Sequence, residues 1–216
     1  MPLPVVLYVP NLLGYARILL AFWGLHVASF NPWASFYLWI LSAFLDLFDG
    51  MAARALDQTS SFGVLVDIVA DNILRSCVWI ATAVADPTYI VPCAAIVCVE
   101  WLTFAATQLH ASAHGSHWKT CRENDPKFIQ NFFSNNFRNP FGLLGIYGLF
   151  AANLLAFAGA HASMREKLPY FYFFKYLAYT GRLISMGIEL WMCCGYVKVI
   201  LSKDEESRIK KPRGTR

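Results

Sequence analysis

The chain has 216 residues, 57% of them hydrophobic and only 15% charged, with a formal net charge of +4. Mean hydropathy is +0.43. A soluble domain carries roughly 25% charged and 45–50% apolar residues, and the apolar excess here is too large to hide in one soluble core. That excludes a disordered chain, a collagen-like repeat, a secreted disulfide scaffold and a nucleic-acid-binding domain. The composition is that of an all-α integral membrane protein, and at ~20 residues per span it allows about six transmembrane helices with short loops.

Breakers and hydropathy place the predicted spans in order. Residues 1–9 are short and apolar and suit the interface, with no basic stretch or small-residue site that marks a cleaved signal peptide. Pro10-Asn11 opens a first span over about 10–30, and Asn31-Pro32 breaks it. A second starts near Ala34 and runs through Asp46 and Asp49 to Arg54, before a turn at 57–61. A third covers about 62–85 and stops at Asp86-Pro87; a fourth covers about 88–109. A polar loop, 110–138, carries His110, His114 and His117. A fifth span covers about 140–162 and a sixth about 170–201. Residues 1–201 thus read as one membrane domain and 202–216 as a basic, disordered cytosolic tail. Five of the six cysteines sit in apolar runs and none forms a CxxC pair, so they read as small hydrophobes.

Lys and Arg orient the chain. With the N-terminus cytosolic, twelve of the 18 fall on that side, seven of them from Lys198 onward, and only Arg165 and Lys167 fall opposite. Arg17, Arg75, Lys175 and Arg182 lie inside spans. The imbalance predicts both termini in the cytosol.

The informative residues are four aspartates in apolar surroundings: Asp46, Asp49, Asp67 and Asp71. An Asp at a span centre costs ~2.5–3.5 kcal/mol, so something must compensate all four. Asp46 and Asp49 are three apart and Asp67 and Asp71 four apart, so each pair shares a helix face. The turn at 57–61 folds the two helices back so that the pairs face each other. Without basic neighbours they would repel, and two Mg²⁺ or Mn²⁺ ions, with carboxylate and phosphate oxygens as ligands, resolve the repulsion. Four such carboxylates suit a two-metal phosphoryl-transfer site. Gly50, Ala53 and Gly63 on the same faces leave room for a ligand or a second helix backbone. Arg54, at headgroup level, suits a phosphate. One Asp pair alone would also suit a helix cap or the wall of an ion path, and either glycine alone would suit packing.

Together these positions form Asp46-x2-Asp49-Gly50-x2-Ala53-Arg54-x8-Gly63-x3-Asp67-x3-Asp71. This resembles the signature of the CDP-alcohol phosphatidyltransferases, with every position filled. The upstream stretch Val9-Pro10-Asn11-Leu12-Leu13-Gly14-Tyr15-Ala16-Arg17, with Ser35-Phe36-Tyr37-Leu38 and Ala52-Ala53-Arg54-Ala55-Leu56, resembles the eukaryotic inositol-using members. The resemblance implies a six-helix homodimer with a polar cavity open to the cytosol, in the endoplasmic reticulum. It implies transfer of the phosphatidyl group of CDP-diacylglycerol to myo-inositol. It implies that Asp46, Asp49, Asp67 and Asp71 bind the metals, that Asp71 is the general base, and that Gly50, Ala53, Arg54 and Gly63 bind the cytidine diphosphate moiety. The same chemistry on glycerol 3-phosphate or serine, and a non-catalytic membrane relative, remain alternatives.

Other charges lie inside spans. Arg75, Arg138 and Arg182 are candidate contacts for the acceptor or a phosphate. Arg75 can instead pair with Asp71, and Arg182 with Glu100 or Glu189. The three loop histidines have metal-like spacing but lack a carboxylate helper, and read as a solvated group.

Overall fold

The computed structural model describes residues 3–114 and 125–210. It contains helices α1 (Val9–Val27), α2 (Pro32–Ala55), α3 (Ser61–Ala85), α4 (Ile90–His114), α5 (Lys127–Phe133), α6 (Pro140–Ala160), α7 (Ala162–Lys167) and α8 (Phe171–Lys210). No strand occurs among the described residues. Among the described residues, four helical stretches are long and apolar enough to cross a membrane: Pro32–Ala55, Pro87–Leu109, Pro140–Ala160 and Phe171–Glu206. The protein is therefore an integral membrane protein. The two other long helices, α1 and α3, bury polar side chains, Asn11 and Arg17 on one, Asn72 and Arg75 on the other.

Local chemistry sets the helix starts. Asn31 Oδ1 accepts from Ala34 N at 3.1 Å, ahead of Pro32. Ser60 Oγ accepts from Gly63 N at 2.9 Å. Asn139 Oδ1 accepts from Gly142 N at 2.8 Å, ahead of Pro140. Each cap satisfies a backbone donor that the first turn leaves free, and proline at the next position loses nothing there. The tight α2–α3 return is completed by Asp57, whose φ of 51° an aspartate tolerates better than most residues.

Packing is built on close backbone approaches. α1 lies against α2 and α3, and α3 also meets α4 and α6. Trp39 Nε1 donates to Ala21 O at 3.1 Å, and its ring meets Phe157 edge-on at 4.8 Å. This joins α1, α2 and α6 in one core. A Cβ on Gly14 would stand 2.5 Å from Val66 Cγ1, so α1 and α3 touch where only glycine fits. α6 and α8 are closer still. A Cβ on Gly181 would fall on Leu144 O, and one on Gly148 on the Gly181–Arg182 backbone. Ser185 Oγ adds a 2.8 Å bond to Gly145 O. Small residues in such stripes let helices interlock without water to drive association.

Two expectations change. The polar segment 110–138 is not all loop: α4 continues to His114, and α5 forms because Ile129 and Phe132 give it an apolar face to bury. His117 lies outside the described residues. The sixth span does not give way to coil at 201, because α8 runs on to Lys210 through Lys203, Glu205 and Glu206, which favour helix. Residues 211–216 of the expected tail lie outside the described residues.

Gly181→Val should drive α6 and α8 apart, lowering the melting temperature in detergent by several degrees or preventing folding. Gly187→Ala, on the same helix with nothing within 4 Å of the added carbon, should leave the melting temperature unchanged or slightly raised. A fluorescence thermal-shift series on the two variants checks this.

Candidate active site

The four aspartates come together as their spacing predicts, around a cation that the spacing does not show. Arg17, from the middle of α1, has a fully buried side chain. Its Nη2 lies 2.7 Å from Asp46 Oδ1, and its Nη1 lies 2.6 Å from Asp49 Oδ2 and 2.8 Å from Asp67 Oδ1. Nη2 also donates to Asp71 Oδ1. The expected set of carboxylates without basic neighbours is thereby corrected: one planar guanidinium bridges all four, which its rigid fork of donors allows. Arg75, one turn beyond Asp71, adds a second cation with Nη1 3.8 Å from Asp71 Oδ2.

The scaffold fixes this centre from behind. Ser42 Oγ donates to Arg17 O at 3.1 Å, locking the α1 backbone to α2 beside the cluster. Pro10, Asn11, Gly14, Arg17, Ala21 and Gly24 are the buried residues of α1, a three- and four-residue repeat that marks Arg17 as inward-facing. That repeat, with the rule that intramembrane charges are paired, was the available sequence signal for Arg17.

Two cavities meet at the cluster. The first, of about 210 Å³, is lined by Gly50, Ala53, Arg54, Gly63, Asp49 and Asp67, with Pro10 and Gly14 from α1. The structure thus brings together all four residues expected around the cytidine diphosphate. Gly63 has a double duty: a Cβ there would lie 2.9 Å from Asn11 Oδ1 and 3.1 Å from Ser60 Oγ. Gln58 Oε1 accepts from Val9 N at 2.8 Å and ties the turn to the start of α1.

The second cavity, of about 350 Å³, is lined by residues of α3, α4, α5, α6 and α8. Its polar lining includes Asp67, Asp71, Asn72, Arg75, Glu100 and Glu189, above a wall of phenylalanines. Asp67 borders both cavities and its side chain is 47% exposed. Phe137 closes one end with a backbone φ of 64°, a costly conformation for a bulky residue and of the kind that gathers at functional sites.

The other candidate cations divide. Arg75 lines the second cavity, with Nε 3.3 Å from Glu100 Oε2, a hydrogen bond to Asn72 Oδ1, and its charge 5.6 Å from the Phe150 ring. Arg182 pairs with both of its possible partners, Glu100 Oε1 at 3.2 Å and Glu189 Oε2 at 2.8 Å. Arg138 is exposed beyond α5 and borders neither cavity.

The donor set suits divalent cations. Carboxylate oxygens of Asp46, Asp49 and Asp67 lie within 4.8 Å of one another, an all-oxygen group of the kind Mg²⁺ and Mn²⁺ accept. Each carboxylate has lone pairs to spare beyond its bond to Arg17. Asp71 is not part of that group and meets it through Arg17.

Comparison with known proteins agrees. Residues 7–129 match the family profile of CDP-alcohol phosphatidyltransferase. The CDP-diacylglycerol–inositol 3-phosphatidyltransferase of Schizosaccharomyces pombe is 30% identical over 134 residues, 61% of this chain and 56% of that protein. The Candida albicans protein of that name is 32% identical over 133 residues, 61% of this chain and 57% of its own. The one from Rattus norvegicus is 39% identical over 83 residues, 38% of this chain and 39% of its own. The matches thus span between 39% and 57% of the length of these curated relatives. No solved structure matches it significantly.

Arg17→Gln leaves four carboxylates facing each other without their shared partner. Breaking a buried pair typically costs ~3–5 kcal/mol, so the variant should melt well below the parent protein in metal-free buffer. Millimolar Mg²⁺ should raise its melting temperature more than that of the parent. Equal melting temperatures in metal-free buffer would show that Arg17 does not hold the cluster.

Proposed function

The chain belongs to the CDP-alcohol phosphatidyltransferase family, and from this we propose that it transfers the phosphatidyl group of CDP-diacylglycerol to myo-inositol, giving phosphatidylinositol and CMP. The observation that carries the proposal is the meeting of the two cavities at one acidic cluster, with Asp67 bordering both. One cavity contains the residues expected for the nucleotide; the other is a largely apolar pocket with charged groups beside Asp71. The names of the relatives support inositol as the acceptor.

The cytidine diphosphate moiety lies along Gly50, Ala53 and Gly63, where missing side chains leave space, and Arg54 meets a phosphate at the rim. The alcohol enters the second cavity. Asp71 accepts the proton of its hydroxyl. The freed oxygen forms a bond to the phosphatidyl phosphorus while the bond from that phosphorus to the CMP oxygen breaks, and CMP leaves with the electron pair. Two Mg²⁺ or Mn²⁺ ions, held by Asp46, Asp49, Asp67 and Asp71, supply charge neutralisation for the pyrophosphate and the leaving CMP when bound.

Charge balance favours this assignment. The four carboxylates against Arg17 and Arg75 leave a formal excess of two negative charges. Two divalent cations turn that into an excess of two positive charges, which the doubly negative pyrophosphate diester balances. The work of the protein is positioning and neutralisation, as in other phosphoryl transfers. The proposal includes the membrane setting read from the sequence: six spans, a cavity facing the cytosol, both termini on that side, and a homodimer in the endoplasmic reticulum.

The test supplies purified protein and CDP-diacylglycerol with labelled inositol, glycerol 3-phosphate or serine. Label should enter lipid from inositol, and EDTA should abolish incorporation until Mg²⁺ or Mn²⁺ is restored. Label entering only from another alcohol would replace the acceptor, and no labelled lipid from any alcohol would remove the reaction. Asp71→Asn should lower kcat by ~10²–10⁴, the usual range for loss of a general base, while CDP-diacylglycerol binding survives better than turnover. Near-normal kcat would remove Asp71 from the mechanism.

A further inference from the structure

We propose that Glu100 and Glu189 determine acceptor specificity, making the second cavity a site for an uncharged polyol and closing it to phosphorylated alcohols. This rests on the transferase reading above and specifies how that pocket selects its substrate.

The cavity contains one basic residue among its described lining, Arg75, against the carboxylates of Asp67, Asp71, Glu100 and Glu189. Arg75 is fully committed. Its Nε faces Glu100 Oε2 at 3.3 Å, its Nη1 faces Asp71 Oδ2 at 3.8 Å, and its Nη2 donates to Asn72 Oδ1. Arg182 is 4% exposed and does not border the cavity. It sits behind the two glutamates, with Nη1 2.8 Å from Glu189 Oε2 and Nη2 3.2 Å from Glu100 Oε1. The two guanidiniums that a phosphate would seek are therefore each turned toward carboxylates, and the surface offered to a ligand is largely apolar. Recognition of a phosphate monoester needs a free cationic fork, and the described lining of this cavity presents none.

The same surface suits a neutral polyol. Hydroxyl groups can donate to the carboxylates of Asp71 and Glu189 and accept from Thr103, all of which line the cavity, while Glu100, 2% exposed, is engaged with Arg75 and Arg182. The phenylalanine wall supplies apolar contact for the C–H faces of a ring. At about 350 Å³ the space lies in the range of small-ligand pockets, roughly 300–1,000 Å³. Selectivity then comes from what is withheld as well as what is offered: the glutamates hold Arg75 and Arg182 in ion pairs, so a dianion meets no free cation, while Glu189 still accepts from a polyol.

The experiment is competition. Inositol incorporation is measured with rising inositol 1-phosphate or glycerol 3-phosphate, in the parent protein and in Glu189→Gln, Glu189→Asp and Arg182→Gln/Glu189→Gln. In the parent, neither phosphorylated alcohol should enter lipid or compete with inositol. In Glu189→Gln, Arg182 loses its nearest carboxylate, and the inhibition constant of the phosphorylated alcohol should fall at least about tenfold. Glu189→Asp and the double variant, one keeping the negative charge and the other removing the cation that Glu189→Gln leaves with one partner fewer, should remain insensitive. Turnover that drops equally for all acceptors in Glu189→Gln, with the competition unchanged, would show a purely structural role and overturn the inference. Should that variant fail to fold, the parent alone decides: strong competition by a phosphorylated alcohol overturns the inference while inositol incorporation leaves the transferase reading standing. Absence of inositol incorporation in the parent overturns both.

Discussion

One guanidinium holds the site together. Arg17 reaches from α1 to carboxylates on α2 and α3 that lie 29 to 54 residues further along the chain. In a low-dielectric interior such a charge is tolerable only if paired, and so are the aspartates around it. The same contact that makes four acidic side chains compatible with an apolar bundle also fixes the angle between three helices. The hydrogen bond from Ser42 to the Arg17 carbonyl and the glycine contact of Gly14 with Val66 hold the arginine at one height. The carboxylates are therefore oriented before any ligand arrives, which is what a site must do if binding is not to be spent on rearrangement.

The rest of the bundle extends this centre into a second pocket. From Asp71 the charges continue through Arg75, Glu100 and Arg182 to Glu189, alternating in sign across α3, α4 and α8. The row depends on packing far from the carboxylates. Arg182 follows Gly181, whose close approach to α6 brings the α8 backbone near enough for its side chain to meet Glu100. α3 belongs to both halves, since Asp67 borders both cavities and Asn72 and Arg75 line the second. On the proposed assignment, a donor in the first cavity and an acceptor in the second meet at Asp67.

Much of this was legible in the sequence. The paired aspartates, the glycines between them and the Asn-Pro breakers are local patterns, and helix periodicity converts each into a face or an end. That is why Gly50, Ala53, Arg54 and Gly63 are found around one cleft. Arg17 was visible only as an unexplained charge in an apolar helix, because its partners are set by how α1 lies against α2 and α3, and spacing within one helix does not report that. Arg182 had two possible partners on paper; it takes both, because α4 and α8 place Glu100 and Glu189 on either side of it. Arg138 borders neither cavity, since the local turn around Phe137 and Asn139 leaves it outside. The helical course of α5 was hidden by the polar residues around Ile129 and Phe132.

The central claim is that donor and acceptor react directly across the shared acidic cluster. The most direct measurement is single-turnover release of CMP from CDP-diacylglycerol with Mg²⁺ or Mn²⁺ present, with and without inositol. Direct transfer predicts that CMP appears on the enzyme timescale only when inositol is supplied, in step with phosphatidylinositol. A burst of CMP equal to the enzyme concentration in the absence of any alcohol would mean that the phosphatidyl group is first passed to the protein, and would contradict the account.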